Sequence, residues 1–132
     1  MILVDTSVWI DLLGRTPSRR LDLEQRHLVV TCPPVIQEVL QGIREEVAHA
    51  RARRGLLALP RLGDPVGMDA HLAAADLYRF ARRKGVTIRS GVDCLIAAIA
   101  MAGGATVWHL DRDFEQLARI TDLRAHCRAT PV

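Results

Sequence analysis

The stretch MILVDTSVWIDL (residues 1–12) changes character at a single position. Ile2–Val4 is a short apolar run of the kind that forms a buried strand. Ser7–Leu13 reads as a helix, with Thr6 or Ser7 as its cap. Between them stands Asp5, and an acid directly after a buried strand seldom helps packing. A strand that feeds at once into a helix is half of a β-α-β unit, so the rest of the chain is read for the same alternation.

The alternation recurs. Leu28–Thr31 (LVVT) is a second strand, and Pro33 and Pro34 suit the start of a helix. That helix carries the stripe Val35, Ile36, Val39, Leu40 and Ile43; Glu45–Leu57 continues as a polar, arginine-rich helix. Gly14–Arg20 and Pro60–Gly67 are loops. Asp69–Lys84 is an amphipathic helix, Val86–Ile88 a short edge element, and Asp93–Ala102 a helix stopped by Gly103–Gly104. Thr106–Leu110 is a strand, Phe114–Ile120 a helix and Leu123–Arg128 a last strand. The pattern predicts an α/β fold: one domain over residues 1–132, with a parallel sheet of four to five strands between helices.

Composition narrows the class. A chain of 132 residues with 49% hydrophobic and 25% charged content is ordinary for a globular domain. Cys32, Cys94 and Cys127 form neither a zinc pattern nor a disulfide framework, which points to a reducing cytoplasm. The apolar start is interrupted by Asp5 without a basic leader, unlike a signal peptide. No apolar stretch approaches the ~18 residues of a membrane span. The net charge is +3, and Lys84 is the only lysine. Arginine suits bidentate phosphate contacts, which tilts the balance toward a nucleic-acid partner.

The acids are the functional clue. Asp5 and Asp111 each follow a strand, Glu38 lies one turn into the helix opened by Pro33, and Asp93 begins another helix. In open α/β sheets these positions converge beyond the carboxyl ends of the strands. Carboxylates gathered there repel one another unless a cation sits among them, which makes them a candidate hard-metal site. Each also has a plainer reading. Asp93 and Glu38 suit first helical turns, and either Asp111 or Asp113 can cap the helix near Phe114. Arg112, between those two aspartates, is placed to bind a phosphate or to balance the acids.

Four segments carry a family resemblance. VDTSVWIDLL (4–13), PPVIQEVLQGI (33–43), DCLIAAIA (93–100) and HLDRDFEQLA (109–118), in this order and spacing, resemble the PIN-domain ribonucleases. More narrowly, they resemble the VapC-type toxins of bacterial toxin–antitoxin pairs. Carried over residue by residue, the catalytic and metal-binding acids fall on Asp5, Glu38, Asp93 and Asp111, with Asp113 as an additional or substitute ligand. Thr6 or Ser7 matches the hydroxyl position that follows the first aspartate. The resemblance implies an endoribonuclease dependent on Mg2+ or Mn2+, acting on structured RNA such as tRNA and restrained by a cognate antitoxin protein. The apolar stripes between Pro34 and Leu57 would serve a homodimer or antitoxin interface, though the core explains them equally.

Rival classes fit less well. His27, His49, His71, His109 and His126 share no motif, whereas a metal-independent ribonuclease needs paired acid–base groups. An aromatic content of 4% argues against a base-stacking module, with Trp9 and Trp108 expected in the core. A receiver domain needs a lysine after its aspartates, but Lys84 precedes Asp93 and Asp111. An aspartyl phosphatase carries a second aspartate two residues after the first, where Ser7 stands here. An inactive RNA- or protein-binding relative would be expected to lose some of the acids, and all are present.

Overall fold

A computed structural model describes all 132 residues. Four parallel strands form one sheet in the order β2-β1-β3-β4: β1 (Ile2–Val4), β2 (Val29–Val30), β3 (Thr106–Trp108) and β4 (Ala125–His126). Six helices connect or follow them: α1 (Thr6–Leu12), α2 (Pro33–Gly42), α3 (Glu46–Leu57), α4 (Met68–Arg83), α5 (Gly91–Gly103) and α6 (Arg112–Ile120). The α/β architecture and the parallel sheet therefore match the sequence reading. No helix is long and apolar enough to cross a membrane.

The strands separate two unequal cores because successive side chains point to opposite faces. Leu3, Val30 and Val107 join a cluster of twenty buried residues with α2, α4, α5 and α6. Ile2, Val4, Val29 and Trp108 point the other way, into a cluster of five completed by Val8 of α1. The expected sandwich exists, but its second layer is thin: α1, a 3-10 helix at Leu23–Leu28 and loop residues cover it. Trp108 is fully buried there, and its indole N–H donates to the Arg128 carbonyl at 2.8 Å.

Several expected boundaries move, and hydrogen bonding explains each. Thr31 leaves the ladder early, because its amide bonds the Pro60 carbonyl and its carbonyl receives the Leu62 amide. Val86–Ile88 forms no strand. The Val86 amide closes the end of α4 on Ala81, and the amides of Arg89 and Ser90 go to the Asp113 carboxylate. Helix α2 does not run on into α3: Ile43 is extended, and Glu45 caps a new helix through the amides of Val47 and Ala48. Strand β3 ends at Trp108 rather than Leu110, whose amide turns to the Ser7 hydroxyl. Gly104 does stop α5, in the left-handed conformation at φ 69°.

This topology creates the crevice. The chain goes from β1 to β2 on one side and then crosses to β3 on the other, so β1 and β3 flank the switch point. A helix packed antiparallel to the strand it precedes starts at that strand's carboxyl end, which brings the first turn of α5 to the same edge. Helix α2, which follows β2, starts at that edge as well.

Candidate metal centre

Asp5 is 3% exposed and serves as the N-cap of α1, a role expected of Thr6 or Ser7. Its Oδ2 accepts the Ser7 amide at 3.1 Å and also the Ser7 hydroxyl. A carboxylate there satisfies a free helix amide and meets the positive end of the helix dipole. Asp5 Oδ1 is buried without a hydrogen-bond partner. Burial pushes the Asp5 carboxyl above its ordinary value; the Ser7 hydrogen bonds oppose that shift, and the charge of Glu38 adds to it. The Ser7 hydroxyl in turn accepts the Leu110 amide at 3.0 Å, which ties the β1–α1 corner to the loop before Asp111. Beside it, the Thr6 hydroxyl donates to Glu38 Oε1 at 2.8 Å, joining the start of α1 to half-buried Glu38 on α2.

Across the crevice, acid packs on acid. Asp93, Asp111 and Asp113 each offer an oxygen, and these atoms lie within 4.8 Å of one another. Asp111 is the N-cap of α6, its Oδ1 accepting the Asp113 amide at 2.9 Å. Of the two candidate caps in DRDF, it is thus the first that acts. Asp113 is 2% exposed, and its Oδ2 accepts the amides of Arg89 and Ser90 at 3.0 and 3.1 Å. Those two residues enter α5, so Asp113 fixes the turn that carries Asp93. Asp93 Oδ2 is buried and unpartnered. Burial pushes the Asp93 carboxyl up to about 9, assisted by a proton shared with Asp113 and by the charges of Asp5, Asp111 and Asp113.

The five expected acids therefore form two groups on one edge. Asp93, Asp111 and Asp113 make a compact cluster; Asp5 and Glu38 stand outside it, joined by the Thr6–Ser7 hydroxyls and felt electrostatically. Arg112 is exposed and makes no hydrogen bond or ion pair, whereas Arg89 Nε lies 4.0 Å from Asp113 Oδ1 with its side chain 73% exposed. His109 is buried against Phe114, with ring centroids 5.5 Å apart. Sequence reasoning missed the Arg89 and Ser90 amides, since backbone donors leave no trace in residue type.

The donor set fits a hard divalent cation. Uncompensated buried carboxylates are costly, and two buried oxygens here lack any partner. The nearby thiols are not competing soft ligands: burial pushes Cys32 and Cys94 up to about 11, with neighbouring carboxylates shifting them the same way. What remains in the cluster is an all-oxygen donor set of the kind that holds a hard divalent cation.

A crevice of acids at the switch point of a parallel sheet defines a class, and the chain belongs to the PIN domain family, whose model matches residues 2–120. Within that family its relatives are VapC ribonucleases. Ribonuclease VapC11 of Mycobacterium tuberculosis and a VapC ribonuclease of Mycobacterium bovis are each 42% identical over 131 residues, spanning 95% of this chain and 97% of theirs. The fold is similar to that of FitAB bound to an IR36 DNA fragment, with a TM-score of 0.71 at 20% identity over 99% of this chain and 95% of that one. It is also similar to VapBC-5 of Mycobacterium tuberculosis, from the VapBC family of toxin–antitoxin systems. There the TM-score is 0.67 at 22% identity, over 93% and 94% of the two chains.

Proposed function

We propose that the protein is an endoribonuclease dependent on Mg2+ or Mn2+ that acts as the toxin of a two-protein module and cleaves structured RNA, with tRNA the first substrate to test. The observation that carries this reading is the three-acid cluster, within which Asp93 is pushed up to about 9 and keeps one buried oxygen free. Asp93, Asp111 and Asp113 would hold the cation, with Asp5 and Glu38 completing the site from the opposite wall, Glu38 through water. The cation would supply charge neutralisation at the phosphate oxygens and lower the pKa of the attacking water.

The chain's own residues set the frame for the reaction. Asp111 and Asp113 orient each other and the start of α5 through backbone amides, so the cluster is fixed before RNA arrives. Asp5 keeps one oxygen bonded to Ser7, and its other oxygen, Oδ1, is buried without a partner and would be free to accept a proton or a cation. Exposed Arg89 and Arg112 at the rim are suited to backbone phosphates. In the proposed hydrolysis a bond forms between water oxygen and phosphorus as the bond to the 3′ oxygen breaks, and a proton passes to that oxygen. The ends are a 5′-phosphate and a 3′-hydroxyl.

A groove of about 470 Å3 supports an antitoxin partner. It is lined by apolar residues including Trp9, Leu13, Leu21, Ile43 and Leu56, with Arg26 and Arg51 beside them. An amphipathic helix with acidic residues along its edge would suit it. The proposed homodimer is checked separately, by sedimentation.

The test is cleavage of total RNA with and without Mg2+, by the wild type and by Asp93→Asn. The reading expects metal-dependent cleavage by the wild type alone. Equal cleavage by both proteins, metal-free activity, or 2′,3′-cyclic phosphate ends would overturn it.

A further inference from the structure

We propose that Thr6 is a positioning residue for divalent-cation binding: its hydroxyl fixes the Glu38 carboxylate against the Asp5 wall of the crevice. This rests on the reading of the crevice as a metal site. Thr6 is the first residue of α1, yet its hydroxyl takes no part in capping, because Asp5 performs that role through Ser7. The hydroxyl instead crosses to α2, where it donates to Glu38 Oε1 at 2.8 Å over a separation of 32 residues. It is the one side-chain hydrogen bond that Glu38 receives, and no arginine or lysine pairs with this acid.

The adjacent hydroxyls of Thr6 and Ser7 thus serve different carboxylates. Ser7 holds Asp5 and reaches the loop before Asp111, while Thr6 holds Glu38. Two consecutive residues thereby set the spacing of acids from three separate elements. A glutamate has three side-chain torsions and, left free on a helix surface, samples many rotamers. One hydrogen bond to Oε1 selects a rotamer and leaves Oε2 for water or a cation. A neutral donor does this without the charge neutralisation that an arginine would bring. Outer partners of this kind tune metal affinity strongly in other sites.

A merely structural clamp between α1 and α2 makes a different forecast. It would lower the melting temperature when removed and leave cation affinity unchanged once the protein is folded. Thr6→Val keeps the side-chain shape and removes the donor; Thr6→Ser keeps the donor.

The experiment measures Mn2+ binding by calorimetry on the full chain, without RNA, for the wild type, Thr6→Val, Thr6→Ser, Glu38→Gln and the Thr6→Val/Glu38→Gln double variant, with melting curves for each. The proposal expects Thr6→Val to weaken Mn2+ binding by roughly 10-fold, Thr6→Ser to stay within about twofold of wild type, and the Thr6 effect to vanish in the Glu38→Gln background. Wild-type affinity in Thr6→Val, or an equal Thr6→Val loss in the Glu38→Gln background, would overturn it. If Thr6→Val fails to fold, Thr6→Ala takes its place: Mn2+ binding weakened by roughly 10-fold upholds the proposal, and wild-type affinity overturns it. Absence of Mn2+ binding in the wild type would instead remove the metal-site reading itself.

Discussion

The two walls of the crevice handle the same charge problem by different means. On the β1 wall each acid meets a hydroxyl: Ser7 serves Asp5 and Thr6 serves Glu38. On the α5–α6 wall acid meets acid. Asp111 and Asp113 use backbone amides, and Asp93 is left with one buried oxygen and a pKa pushed up to about 9. Hydroxyls stabilise a carboxylate without cancelling its charge, so the first wall is the less strained without metal, although Asp5 too keeps one buried oxygen unpartnered. The second wall stays intact by keeping a proton, until a cation replaces it. The demand for metal is therefore greatest at Asp93.

The largest expected effect follows from that asymmetry. Asp93→Asn should lower RNA cleavage by at least ~100-fold, the scale on which removing a preorganised charged group acts. The same change should raise the melting temperature of the metal-free protein at pH 8, since a neutral amide removes the cost of protonating this carboxyl on folding. Loss of activity together with a lower metal-free melting temperature would break the comparison between the walls.

The pH dependence is the next effect. Asp93 has a folded pKa of about 9 against 3.8 when unfolded, so the folded state binds the extra proton. Its contribution to stability is complete below about pH 4 and is lost as pH rises toward 9. Asp5, also raised, acts in the same direction. Burial lowers His109 and His126, whose contribution runs the other way but ends near their ordinary value of 6.5. Metal-free protein should therefore lose stability between pH 6.5 and 8.5 in urea melts, and saturating Mg2+ should flatten that slope. A flat metal-free profile would remove the strain assigned to the second wall.

Smaller effects sharpen the picture. Asp113→Ala strips the acceptor from two amides and should cost about 1–3 kcal/mol, with faster hydrogen exchange confined at first to Arg89, Ser90 and the start of α5. Ser7→Ala removes one hydroxyl that bridges Asp5 to the Leu110 amide, and about 1 kcal/mol in denaturant melts is expected. If Ser7→Ala cost more than Asp113→Ala, the weight given to the two walls would have to be reversed.

How much of this could be read from sequence differs in the same way between regions. The helices around the acids were legible because proline at the start of α2 and paired glycines at the end of α5 are strong local signals. The break before α3 was not, because Glu45 caps that helix although glutamate is not a usual N-cap residue. The 3-10 helix at Leu23–Leu28 has no apolar period to betray it. At the site, the carboxylates showed themselves by residue type and placement. Their division into two walls did not, since it depends on which hydroxyl and which backbone amide each oxygen finds. The Asp111–Asp113 pair shows the limit best: sequence allowed either as cap, and only the amide geometry distinguishes the helix cap Asp111 from the loop-fixing Asp113.

The central claim is that a cation, rather than a proton, is what Asp93 is built to meet. The most direct measurement is the shift in melting temperature on adding Mg2+ at pH 8, for the wild type and Asp93→Asn side by side. A clear rise in the wild type with little or none in the variant is the predicted result. No rise in the wild type, or the same rise in both, would contradict it.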